Sequence, residues 1–147
     1  MRFGDDKFRR DAFGIAVVGE ELYVSDCTAW SLHVFSLAGE HLRELFGDWR
    51  EPDHLLHVDG RLYLSEQDDE HDDEVIDDDW SQARREAGRR ILVLTPKGQT
   101  LQVWKTPGMS VVRGVGIFRN ELIVATRRNV NVTRGHLSPA LQPSAKY

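Results

Sequence analysis

The sequence has 147 residues, of which 40% are hydrophobic and 29% charged, and its formal net charge is −5 at pH 7. This length suits one domain, and the composition is that of a globular rather than a disordered protein. No run approaches the roughly 20 apolar residues of a membrane helix, no signal-peptide core follows Met1, and a single cysteine excludes an internal disulfide. These features predict a cytoplasmic or nuclear protein without a membrane partner.

Three strand pairs recur along the chain, each made of an apolar strand, a short turn and a second strand. They lie at residues 14–26, 55–66 and 115–126. Their apolar and polar residues alternate, which predicts half-buried strands. Asp59-Gly60 suits a two-residue hairpin turn, because both central positions of such a turn need positive φ. A pattern that returns about every 40 residues is typical of a β-propeller.

A second set of strand pairs falls between the first. The residues 31–46 and 90–104 align with a constant offset that places Gly98 where Gly39 lies. A third such pair begins at residue 129, so the chain holds about two and a half units. We therefore predict an all-β fold, a partial β-propeller of four-stranded antiparallel blades. The phrase Phe3-Gly4 recurs as Phe46-Gly47 and suggests that the first residues are the tail of an earlier unit.

The second repeat carries an insertion at residues 67–89. Residues 66–79 hold 10 of the 24 acids and neither Lys nor Arg. Such a block predicts a solvated acidic loop, with divalent-cation binding as the alternative, since hard cations take carboxylate oxygens. Asp79 would cap a short helix that ends before Gly88. Residues 1–132 are thus predicted as blades with one acidic and helical insertion, and residues 133–147 as a disordered tail.

The first repeat resembles the NHL repeat family. Its matching phrases are Gly14-Ile15-Ala16-Val17, Leu22-Tyr23-Val24-Ser25-Asp26, Val34-Phe35, Gly39 and Phe46-Gly47. The chain departs from the family at Ala29-Trp30-Ser31, and Glu66 and Thr126 replace the family's Asp in the later repeats. The resemblance covers about residues 3–132 and implies a propeller whose faces bind proteins, peptides or RNA, often within larger ubiquitin-ligase or signalling chains.

On this resemblance we expect a non-catalytic scaffold that binds another protein. No catalytic, cofactor-binding or metal-ligating residue is predicted, and no cofactor. The candidate partner-binding residues lie in connections or on a basic face: Trp49, Trp80, Arg113, Arg127 and Arg128. Cys27 lacks a neighbouring base and is expected to be an inert thiol.

Two other functions stay open at this point. Some propellers of related appearance are metal-dependent hydrolases or lyases, which need polar ligands around the central channel. Here His57 and Arg113 are the only strongly polar residues of the inner strands. RNA binding through basic residues is the second alternative. The acidic run opposes it, and the sequence has no regular spacing of aromatic residues among the basic ones that would stack bases.

The number of units bears on assembly. Propellers typically have about 4–8 blades, and each blade buries its faces against its neighbours. With fewer than three, the chain is expected to self-associate or to be completed by further blades of a longer chain. We also expect Leu22, Leu62 and Leu122 to occupy equivalent buried positions.

Overall fold

The computed structural model describes residues 2–4, 6–8, 11–67, 88–106, 111–126 and 130–133. Over these residues the chain folds into antiparallel sheets, which we number in chain order. Sheet 1 contains β1 (Ala12–Val18), β2 (Glu21–Asp26), β3 (Ser31–Ser36) and β4 (His41–Leu45). Sheet 2 contains β5 (Pro52–Val58), β6 (Arg61–Glu66), β7 (Arg90–Leu94) and β8 (Thr100–Lys105). Sheet 3 contains β9 (Val112–Phe118), β10 (Glu121–Thr126) and β11 (Val130–Thr133). The predicted all-β, propeller-type arrangement is confirmed.

The β5–β6 hairpin forms as its Asp59-Gly60 turn predicts, and the β9–β10 hairpin has the same turn geometry. In the β5–β6 turn, Asp59 and Gly60 have φ of 49° and 73°, and in the β9–β10 turn Arg119 and Asn120 have φ of 49° and 63°. Positive φ at both central positions gives the turn a twist that matches the flanking strands. Within the part of the chain that the structure describes, no helix is long and apolar enough to cross a membrane.

The outer hairpins of sheets 1 and 2 repeat each other bond by bond. The Gly39 amide donates to the Ser36 carbonyl at 2.9 Å, and the Gly98 amide donates to the Thr95 carbonyl at 2.9 Å. Both glycines have positive φ, 87° and 84°, which a side chain would disfavour. The predicted equivalence of Gly39 and Gly98 is thus confirmed by the geometry of their turns.

The core consists of two apolar layers between successive sheets. We name the face of a sheet that points toward the preceding sheet its front face, and the opposite face its back face. The first layer joins the back face of sheet 1 to the front face of sheet 2 and contains Ala16, Tyr23, Leu32, Val34, Trp49, Leu55, Leu62, Leu64, Leu92 and Leu94. The second joins the back face of sheet 2 to the front face of sheet 3 and contains Tyr63, Ile91, Val93, Val112, Leu122 and Val124.

The three equivalent leucines do not share one environment. Leu62 and Leu122 are buried, with 0% and 4% of their surface exposed. Leu22 is only half-buried, so the expectation of three equally buried sites is wrong for the first repeat. The reason is positional, because Leu22 lies on the front face of sheet 1 and no described sheet precedes it.

A buried ion pair joins the end of β6 to the start of β7, on either side of the insertion. The carboxylate of Glu66, at the end of β6, accepts two hydrogen bonds of 2.7 Å from the guanidinium of Arg90, at the start of β7. It also accepts a 2.8 Å hydrogen bond from the Arg50 amide. The predicted acidic loop and the helix expected from Asp79 lie outside the described residues, as does the tail beyond residue 133.

Candidate interaction surface

The inner strands differ in how well their front faces are covered. In β1, Ile15 and Val17 are 61% and 53% exposed. At the equivalent positions of β5, Leu55 is 8% exposed and His57 is half-buried. The same apolar pattern is therefore covered in sheet 2 and open in sheet 1. An exposed, contiguous apolar face of this kind marks an interface.

The outer strands supply an internal control for this difference. Leu42 in β4 and Leu101 in β8 are equivalent, and they are 42% and 41% exposed. At this outer-strand position the exposure is thus the same in both sheets. The extra exposure of Ile15 and Val17 lies on the inner strand, where a preceding sheet would pack.

The outer half of the front face of sheet 1 is covered by the N-terminal segment, residues 2–4 and 6–8. The rings of Phe3 and Phe35 lie 5.3 Å apart, and the ring of Phe8 meets that of His33 edge-on at 4.9 Å. Phe35 and His33 are consequently 1% and 3% exposed. The segment stops short of Ile15, so the inner half of the face stays open.

This segment has a counterpart on sheet 2. A Cβ added to Gly39 would meet the ring of Phe3, and one added to Gly98 would meet the ring of Trp49. Phe3 therefore packs against the outer turn of sheet 1 in the same way as Trp49, in the connection from β4 to β5, packs against the outer turn of sheet 2. The first residues take the place of a connection from an earlier sheet.

A titratable cluster lies beneath the segment. The His33 Nδ1 and His41 Nε2 atoms are 3.0 Å apart. The His33 Nε2 atom lies 3.6 Å from carboxylate oxygens of both Asp26 and Glu44. Burial, and then the neighbouring His33, lower the pKa of His41.

Close backbone contact joins the inner strands of sheets 1 and 2. The Ser25 hydroxyl accepts a 2.7 Å hydrogen bond from the Gly14 amide and donates one of 2.7 Å to the Asp53 carbonyl. A Cβ on Gly14 would collide with that carbonyl oxygen and would lie 2.7 Å from the Leu55 amide nitrogen. Gly14 is thus required by the approach of the next sheet.

The back face of sheet 3 carries small residues at the matching positions. Gly114 and Gly116 are equivalent to Gly14 and Ala16. A Cβ on Gly116 would meet nothing within 4 Å, and one on Gly114 would meet only the Ala125 Cβ, at 3.8 Å. Nothing in the described chain crowds these two glycines.

The structure describes two of the five predicted partner-binding residues, Trp49 and Arg113. Trp49 lies in the first core layer at 2% exposure, and its indole N–H donates to the Trp30 carbonyl at 2.9 Å, so its ring is not presented to a partner. Arg113 is exposed in β9. The other three candidates fall outside the described residues: Trp80, Arg127 and Arg128.

Trp30, which the sequence analysis does not place among the partner-binding residues, lies in the β2–β3 turn with φ of 56° and 39% exposure. The Arg50 guanidinium lies 5.6 Å from the centre of its ring. Cys27, in the same turn, is 7% exposed, and burial with nearby acids raises the pKa of its thiol to about 12. Among the described residues, no group of three or more His, Cys, Asp or Glu is placed to hold a metal ion.

No protein-family model matches the chain, and no curated protein matches its sequence. Its structural relatives are β-propeller proteins. Virginiamycin B lyase from Staphylococcus aureus aligns with a TM-score of 0.51 and 15% identity over 82% of this chain and 40% of its own. Glutaminyl cyclase from Myxococcus xanthus gives 0.56 and 11% over 86% and 58%, and the computationally designed protein Ika4 gives 0.52 and 14% over 89% and 95%.

At these identities the likeness concerns the fold alone. The chain has the architecture of part of a β-propeller and spans about 40% of the length of the lyase. It spans 95% of the Ika4 chain.

Proposed function

We propose that this chain is a non-catalytic propeller scaffold of the NHL kind that binds another protein through the open front face of sheet 1. The exposure of Ile15 and Val17, against the cover given to Leu55, carries the proposal. Fold alone does not assign function, but covering an exposed apolar sheet face with a partner is energetically favourable.

The NHL element of the proposal is supported by the first repeat. Its Leu-Tyr-Val-Ser-Asp phrase forms β2, and Asp26 at the end of that phrase accepts a 2.9 Å hydrogen bond from the Ala29 amide. The carboxylate thereby fixes the turn that follows, as a short acidic side chain does in such turns. Glu66, which takes this place in sheet 2, pairs with Arg90 instead.

The energetics favour a protein partner over a small polar one. Burial of apolar surface contributes roughly 25 cal/mol per Å², and an aliphatic face with no polar anchor gives little specificity to a small ligand. Leu22 and Val24, half-buried beside Ile15 and Val17, extend the same face. A second sheet of matching shape satisfies this surface best.

The proposal is tested by placing charge on the face. In the double variant Ile15→Asp, Val17→Asp we expect loss of association in light scattering, and a monomer that binds no hydrophobic dye at this face. Leu101→Lys is the matched control, since it removes an exposed leucine that sits on a covered sheet. A wild-type chain that stays monomeric and binds no dye would overturn the proposal.

A further inference from the structure

The sheets of this chain pack on one another in a constant order of faces. The back face of sheet 1 packs on the front face of sheet 2, and the back face of sheet 2 packs on the front face of sheet 3. Both interfaces therefore join unlike faces in the same order. Two faces have no partner among the described sheets: the front of sheet 1 and the back of sheet 3.

These two faces are complementary in size. The front of sheet 1 offers the exposed branched side chains of Ile15 and Val17. The back of β9 offers Gly114 and Gly116, beside which the described chain leaves room. In the internal interface the equivalent small residues, Gly14 and Ala16, lie against the inner strand of sheet 2.

Two positions on the back of sheet 3 are apolar where the internal interface has polar groups. Tyr23 donates a 2.9 Å hydrogen bond to the Pro96 carbonyl across the first interface, and Ser25 bridges to Asp53. Sheet 3 has Ile123 and Ala125 at these two positions. Covering the face therefore leaves no hydroxyl unpaired at either position, which is the usual cost of burying such a group.

Resting on the proposed function, we propose that the partner is a second copy of this chain, with the front face of sheet 1 in each copy packed on the back face of sheet 3 in the other. This front-to-back contact occurs twice and closes a twofold ring of six sheets. Closure of a heterologous contact limits assembly to a defined oligomer, and six lies within the roughly 4–8 blades of propellers.

The first test blocks the glycine side of the contact. Wild-type chain should have about twice the 16.8 kDa chain mass in light scattering. Gly114→Val should be a folded monomer, because its first added carbon meets only Ala125 at 3.8 Å within the chain but would strike the incoming strand. Leu101→Phe, which adds bulk at an exposed outer-strand position, should remain a dimer. A Gly114→Val dimer of wild-type stability overturns the inference.

The second test distinguishes front-to-back from like-to-like contact. Ile15→Cys and Gly116→Cys chains are mixed, left to exchange, and treated with a short bismaleimide; Cys27 is buried and contributes no background. We expect covalent dimers only in the mixture. Cross-linking of either variant alone overturns the stacking order. A dye-binding monomer at every concentration overturns the second copy as partner but leaves the proposed function standing.

Discussion

Sheets 1 and 2 are built from the same repeat, yet only sheet 2 is covered on both faces. All six residues of β6 are buried, whereas three of the six residues of β2 are half-buried. The two sheets share their outer turn, their register and much of their apolar pattern. Their difference shows that the repeat determines which side chains are offered for burial, and the neighbouring sheet determines which are buried.

The comparison extends to the outer half of the front faces. Leu92 in sheet 2 is fully buried beneath the connection from sheet 1, while its equivalent in sheet 1 is His33. Where a permanent neighbour packs, the position is aliphatic. Where the N-terminal segment packs, it is a histidine whose Nδ1 atom lies 3.0 Å from the Nε2 atom of His41. The cover of sheet 1 therefore includes a polar contact that sheet 2 lacks at this position.

The largest expected effect is a difference in unfolding free energy between variants of two equivalent leucines, Leu62 and Leu22. Leu62→Ala should lower the free energy of unfolding by about 2–5 kcal/mol, because it empties a fully buried site. Leu22→Ala should cost at least about 1 kcal/mol less, because its side chain is already partly in water. Urea denaturation at a dilution where the chain is monomeric measures both. Equal losses would mean that the front face of sheet 1 is covered in the isolated chain.

A smaller effect is expected from adding one methyl group to each equivalent glycine. Gly14→Ala should destabilise by about 1–3 kcal/mol, since the new carbon forces the backbones of sheets 1 and 2 apart. Gly114→Ala should stay within about 0.5 kcal/mol in the monomer. Thermal unfolding of the two variants checks this, and a comparable loss in both would show that Gly114 is constrained within its own sheet.

The histidine pair predicts a pH dependence peculiar to sheet 1. The pKa of His41 is lowered on folding by burial and by His33, so just below its ordinary pKa of 6.5 the His41 side chain binds more protons in the unfolded chain than in the folded one. Stability therefore falls as the pH drops through this range. His41→Gln should flatten the slope of unfolding free energy against pH, and an unchanged slope would remove His41 as its source.

The smallest effect is expected from deleting the insertion in sheet 2. Joining Gln67 to Gly88 by a four-residue turn like that of residues 27–30 should change stability by less than about 1 kcal/mol, since loop closure depends weakly on length. Both joined residues are kept, because the Gln67 amide donates to Glu51 at 2.8 Å and the Gly88 carbonyl accepts from Val112 at 2.7 Å. Loss of the β circular-dichroism signal would show that the insertion is part of the core.

Much of the fold follows from local patterns. The turn at Asp59-Gly60 and the equivalence of Gly39 with Gly98 were predictable, because positive φ and hairpin length depend on neighbouring residues alone. The burial of Trp49 was not predictable. A tryptophan in a connection resembles a surface residue until the chain's path between two sheets is known, and here that path places the ring against Gly98.

By itself, the sequence determined the strands, their turns, the number of units and the apolar character of both sheet faces, since these depend on periodicity and short-range chemistry. Only the tertiary structure decided which equivalent residue is covered: Leu55 by sheet 1, His33 by the N-terminal segment, and Ile15 by nothing described in this chain. Burial depends on contacts between sheets that are far apart in sequence, and a repeated pattern is the same at the middle of a stack and at its end.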